Sequence, residues 1–135
     1  MDNWQIRARA YGPWMRTLRQ RRGAQAEDLA VAWLDRLGWR VLARNVKVGP
    51  RDEIDIVAID PGPPAGLVCV EVRSARSPDF GTPEERVDRA KIGHLYRAMN
   101  AVRVDTRLPR RVDLIVVDLR DSTPHVRHLK RLAPD

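Results

Sequence analysis

Residues Asp52–Arg73 read DEIDIVAIDPGPPAGLVCVEVR. Two runs rich in Ile and Val flank the linker at residues 61–66, PGPPAG. Such runs favour strands, and a short Pro/Gly-rich link suits an antiparallel hairpin rather than a crossover. Charged residues interrupt both runs. Asp55 lies between Ile54 and Ile56, Glu71 lies between Val70 and Val72, and Arg73 follows. Strand side chains alternate faces, so Glu71 and Arg73 point one way and Val68, Val70 and Val72 the other. A carboxylate rarely sits inside a core strand unless it is paired or binds a metal.

The flanking sequence gives this hairpin its setting. Ala26, Leu29, Ala30, Trp33, Leu34 and Leu37 form one apolar stripe at helical spacing, and Gly38 is a natural stop after it. Residues 39–46, WRVLARNV, read as a first strand, with Gly49-Pro50 as the turn into the hairpin. Beyond the polar loop 74–82, Thr82-Pro83-Glu84-Glu85 has the form of a helix start with a capping box. The helix it opens carries Val87, Ala90, His94, Leu95, Ala98, Ala101 and Val102 at helical spacing and ends before Pro109. Residues 111–119, RVDLIVVDL, form a fourth, buried strand, and HVRHL in the tail is a candidate edge strand. The third strand, the second helix and the fourth strand make a right-handed βαβ unit. The fold class is therefore α/β: a mixed sheet of about four to five strands flanked by helices, in the order α-β-β-β-α-β.

At 135 residues the chain is long enough for one core. Its net charge is +7, but residues 23–119 carry 15 basic and 15 acidic residues, so the excess lies at the ends. Residues 1–22 carry six Arg and one Asp and read as a basic N-terminal arm; residues 23–135 read as a single domain. A basic arm suits an anionic partner or simple solvation. Trp4, Tyr11 and Trp14 within it suit docking onto protein more than stacking on bases. The single Cys69 excludes an internal disulfide and fits a reducing compartment. No apolar run of membrane-spanning length and no secretory leader pattern occurs, so a cytoplasmic protein with no membrane partner is expected. His94, His125 and His128 form no zinc-type pattern with the one cysteine.

Two acids and a base on adjacent strands are the groups a magnesium-dependent phosphodiesterase uses. Mg²⁺ or Mn²⁺ takes one or two protein carboxylates and completes its shell with water and phosphate. Asp55 and Glu71 are the candidate metal ligands, with the Val72 carbonyl as a third and Glu27, on the border of the first helix stripe, as a further carboxylate. A cation at position 73 would stabilise developing charge. The spacing alone is weak, since acid-x-base also occurs at Glu84-Arg86, Asp105-Arg107 and Asp118-Arg120. Only Glu71 combines a mid-strand position with a preceding strand that also bears an acid. The competing reading is a buried Glu71–Arg73 or Asp55–Arg73 ion pair without metal. Lys91 and Arg89, on the second helix, are candidate phosphate contacts or part of a solvated face.

Residues 23–119 resemble the YraN family of small bacterial proteins. The resemblance is carried by Gly23, Ala26-Glu27, Trp33-Leu34, Gly38, Leu42-Ala43-Arg44-Asn45, Glu53-Ile54-Asp55, Val70-Glu71-Val72, Gly81, Lys91 and Arg111-Val112-Asp113. It implies a restriction-endonuclease-like core related in motif to archaeal Holliday junction resolvases. It also implies catalytic roles for Asp55, Glu71 and the cation at 73, metal binding by Asp55, Glu71 and Glu27, and DNA, including branched DNA, as partner. A two-fold homodimer would suit a four-way junction. The chain departs from the family where it has Asp52 for the usual Gly, Arg73 for the usual Lys and Ala75 for the usual Arg; Arg76 is a displaced substitute. Arginine stabilises an anion but does not serve as a base. Three functions fit these residues: a metal-dependent DNA endonuclease, a nucleic-acid-binding module weakened in catalysis, and a protein-interaction scaffold with structural acids.

Overall fold

The computed structural model of the chain describes the backbone of residues 18–75 and 89–133, and the side chains of 23–75 and 90–133. Helix α1 (Leu18–Arg36) precedes β1 (Arg40–Val48), β2 (Asp52–Asp60) and β3 (Gly66–Ala75). Helix α2 (Arg89–Ala101), β4 (Arg110–Asp118) and β5 (His125–Leu129) follow. The five strands form one sheet in chain order. Strands β1–β2, β2–β3 and β4–β5 pair antiparallel, and β3–β4 pair parallel. This is the mixed α/β order expected from the sequence, with the tail strand present. The helix start expected at Thr82–Glu85, the aromatics of the arm and Arg76 lie outside the described residues.

The two faces of the sheet carry separate cores. Ala26, Ala30 and Leu34 of α1 cover Ile56, Ala58, Val68, Val70, Ile115 and Val117. Leu95, Ala98 and Met99 of α2, with Val102 just after it, cover Ile54, Val57, Leu67, Cys69 and Val112. The alternation in β3 thus sends Val68 and Val70 under α1 and Leu67 and Cys69 under α2, which places Glu71 and Arg73 on the α2 side. Burial pushes the Cys69 thiol up to about 12, so it is inert at neutral pH.

Helix α1 ends as its glycine suggests. Gly38 has φ of 80°, its N–H donates to the Asp35 carbonyl at 3.0 Å, and the Trp39 N–H donates to the Leu34 carbonyl at 3.0 Å. The stop falls before Leu37, which leaves the apolar stripe and is 44% exposed. Helix α2 is rotated from its expected setting. Ala90, His94 and Ala101 are exposed, whereas Leu95, Ala98, Met99 and Val102 face the sheet. Position 91 therefore lies one turn up the buried stripe from Leu95.

Arg110 closes the other end of α2. Its Nη1 donates to the carbonyls of Met99 at 2.6 Å and Val102 at 2.8 Å, groups that a helix C-terminus leaves open. Arg110→Ala should cost about 1–2 kcal/mol in urea denaturation, since charge-assisted bonds to a helix end are lost. An unchanged midpoint would show that water replaces the guanidinium without cost.

Candidate active site

The ladder between β2 and β3 runs from Asp60–Gly66 to Ile56–Val70 and stops there. Alternation also breaks at this point: Ile54 packs with the α2-side core and Ile56 with the α1-side core. Asp55 sits at the break. The ladder leaves the Val72 amide open, and that N–H donates to Asp55 Oδ2 at 2.8 Å. One carboxylate thus takes over where the backbone ladder ends. On β1, Asn45, between the residues paired with Ile56 and Ile54, has φ of 53°, so the irregularity extends to the sheet edge.

Glu71 is buried on the same stretch of β3, at 5% exposure. Two cations reach its Oε1. Arg73 Nη2, from the same strand, lies 3.3 Å away, and Lys91 Nζ, from α2, lies 3.9 Å away. Glu27 approaches from α1. Its Oε1 is buried without a hydrogen-bond partner, and Arg44 Nη2 lies 3.7 Å from it while bonding Asp28 Oδ1 at 2.7 Å.

All three acids are held above the ordinary carboxylate range. Burial raises Asp55 well above it, the charge of Glu71 and that of Glu27 add to the rise, and the Val72 amide and Lys91 oppose it. Burial also raises Glu71, against the pull of Lys91 and Arg73, and Glu53 adds to the rise. Burial raises Glu27, opposed by Arg44 and Asn45 and reinforced by Glu53 and Asp28. Glu53, which the sequence pattern did not single out, acts on both Glu27 and Glu71. Its signal was its place two residues before Asp55 on the same strand.

The other buried acids behave in the opposite way. Asp113 accepts from Arg111 Nε at 3.0 Å, His128 Nε2 at 2.9 Å and the Arg131 amide at 3.0 Å. Burial raises it, but these bonds together outweigh burial and leave it below the usual range. Asp60, bonded by Arg111 Nη2 at 2.7 Å and the Gly62 amide at 2.8 Å, is lowered in the same way despite burial. The Arg120 guanidinium and amide lower Asp118, so that acid-x-base pair is a closed one.

The structure therefore brings Arg73 and Lys91 to Glu71, ties Asp55 to the same stretch of β3 through the Val72 amide, and leaves Glu27 within reach of Asp55 by charge alone. Arg89 begins α2, and its side chain lies outside the described residues, as does Arg76. Among the described residues, no three His, Cys, Asp or Glu side chains form a ready-made metal cage. The pair Asp55 and Glu71 nonetheless matches the one or two carboxylates that magnesium takes from a protein. Glu27 Oε1, buried without a hydrogen bond though 3.7 Å from Arg44 Nη2, is a further candidate oxygen ligand. No described helix is long and apolar enough to cross a membrane.

A model of the uncharacterised protein family UPF0102 matches residues 26–117. The chain is 43% identical over 115 residues to a UPF0102 protein of Pseudarthrobacter chlorophenolicus, covering 82% of this chain and 84% of that one. It is 36% identical over 137 residues to a UPF0102 protein of Mycobacterium sp. strain KMS, covering 98% of this chain and all of the other. A UPF0102 protein of Bifidobacterium longum is 36% identical over 115 residues, covering 80% of this chain and 89% of its own. The resemblance carried by residues from Gly23 to Asp113 and the family match agree: the chain belongs to UPF0102, the YraN family.

Proposed function

We propose that this protein is a metal-dependent DNA endonuclease. The observation that carries this reading is the division among its buried acids. Asp60, Asp113 and Asp118 are fully bonded and lie below the carboxylate range, as structural acids do. Asp55 lies above it, raised by burial and by the charges of Glu71 and Glu27, and those two acids lie above it as well. Groups kept in such a state cost stability, and that cost is the mark of a site built to receive a cation.

Asp55 and Glu71 would hold Mg²⁺ or Mn²⁺, with Glu27 acting directly or through water. The ion, when bound, makes water a better nucleophile and offsets phosphate charge. In the reaction, a water oxygen bonds phosphorus while the bond from phosphorus to a sugar oxygen breaks. The water gives up a proton, and the departing oxygen takes one from solvent. The chain's own part is to fix Asp55 through the Val72 amide and to place cations beside Glu71. Branched DNA belongs in the substrate set. A second reading, a DNA-binding module weakened in cleavage, draws on one observation: Arg73 is already engaged with Glu71.

The test is cleavage of linear, single-stranded and four-way DNA with Mg²⁺ or Mn²⁺. Wild type should cut, and Asp55→Asn should lose about 100-fold or more in rate. Binding that weakens with salt but without cleavage would favour the second reading. Equal cleavage by both proteins would remove Asp55 from the site.

A further inference from the structure

We propose that Lys91, reaching in from α2, is the cation that meets the scissile phosphate, and that Arg73 serves to hold Glu71. This rests on the nuclease reading above and changes the residue expected to do the work of the strand cation.

Three observations support it. Arg73 is tied to its own strand: it lies two residues from Glu71 on the same face, and its Nη2 is 3.3 Å from Glu71 Oε1. Its Nε is buried without a hydrogen-bond partner, so part of its guanidinium is committed to the protein interior. Lys91 enters from a different element. It lies on the sheet-facing stripe of α2, one turn from buried Leu95, and its ammonium reaches Glu71. Its Nζ lies 3.9 Å from Glu71 Oε1.

The two charges approach differently: Lys91 comes to Glu71 from α2, whereas Arg73 comes to it along the same strand. Both side chains are similarly open to solvent, at 38% and 39%, so exposure does not separate them. Chemistry does. An ammonium is a compact charge with three donors on a flexible stem, able to turn from a carboxylate to a phosphate oxygen. As water attacks phosphorus, charge grows on the non-bridging oxygens, and Lys91 would donate to one of them without changing its own protonation.

The experiment compares wild type, Lys91→Met, Lys91→Arg and Arg73→Met. Methionine keeps the stem and its packing, and a thermal melt checks the fold. Anisotropy of labelled four-way and single-stranded DNA, titrated in EDTA at several salt concentrations, reads phosphate contacts without catalysis. Lys91→Met should lower the slope of log affinity against log salt by about one, Lys91→Arg should keep it, and Arg73→Met should leave it in place. Cleavage with Mn²⁺ should fall about 100-fold in Lys91→Met, while Mn²⁺ affinity by calorimetry stays within about threefold. An unchanged slope in Lys91→Met, or cleavage equal to wild type, overturns the assignment. Where wild type binds without cutting, the slope alone decides. Folded wild type that neither binds nor cuts any of these DNAs would overturn the nuclease reading, and this inference with it.

Discussion

Asp113→Ala should lower stability by about 3–5 kcal/mol, a loss large enough to unfold many domains of this size. Asp113 is fully buried, and its two oxygens serve elements from distant parts of the chain. Arg111 Nε and Nη2 donate to it at 3.0 and 3.2 Å, His128 Nε2 at 2.9 Å and the Arg131 amide at 3.0 Å. Trp33 Nε1 donates to His128 Nδ1 at 3.3 Å; an indole only donates, so Nδ1 accepts and Nε2 carries the hydrogen toward Asp113. Arg111 continues the chain to Asp60, passing Gly66, where an added Cβ would lie 3.3 Å from the Pro109 carbonyl oxygen and 3.4 Å from Arg111 Nη1. The network thus joins α1, β2, β4, β5 and the tail on the α1 side of the sheet. Removing the carboxylate strands an arginine and a histidine, both largely buried, and releases the left-handed turn at Arg131. Urea denaturation measures the loss, and hydrogen exchange should show the Arg131 and Leu132 amides losing protection. Asp113→Asn should recover part of it, because one carbonyl oxygen remains to accept. A change under about 1 kcal/mol for alanine would mean that water enters and satisfies the stranded donors.

How much of this is legible in the sequence depends on the range over which each signal acts. The hairpin is legible because alternation and the Pro/Gly linker are local. The faces of Glu71 and Arg73 follow from the same alternation and stand as expected. Asp55 is legible as an acid out of place, but the break beside it is not. Ile54 and Ile56 look like one face of a regular strand, and only the end of the β2 ladder shows that they serve different cores. The setting of Lys91 is obscured because Ala90, His94 and Ala101 lend their spacing to a stripe that the sheet does not bury. Alanines read as apolar whichever way they face, so they set the phase of a helix poorly; Met99, larger and buried, sets it better. The Asp113 network is the least legible. Its partners lie two, 15 and 18 residues away, and the longer contacts exist only once β5 pairs with β4 in one register.

Asp55→Asn should raise stability at about pH 7.5 by about 1–2 kcal/mol, on the order of 5 °C in melting temperature. The sign follows from linkage. Asp55 is raised in the folded protein by burial first and by Glu71 next, and Glu71 and Glu27 are raised with it. A raised carboxyl binds its proton more tightly folded than unfolded. Its penalty is therefore full above the folded value, shrinks as pH falls through that value, and vanishes below the ordinary carboxylate range. Asp60 and Asp113 contribute oppositely: their stabilisation is present above the ordinary range and lost as pH falls through their lowered folded values. The two windows lie on either side of the ordinary carboxylate value. The metal-free wild type should therefore melt higher at about pH 5 than at about pH 7.5, and fall off in stronger acid. The asparagine in Asp55→Asn retains an oxygen for the Val72 amide, so the variant keeps the bond and loses the charge. Its own melting profile, recorded in parallel, carries the same histidines and the other acids and so isolates Asp55 by difference. Mn²⁺ at about 100 times its dissociation constant should add about 2.7 kcal/mol to wild type at about pH 7.5 and far less to Asp55→Asn. A destabilised Asp55→Asn at that pH would instead make Asp55 a structural acid, and would leave Glu71 alone to hold a metal.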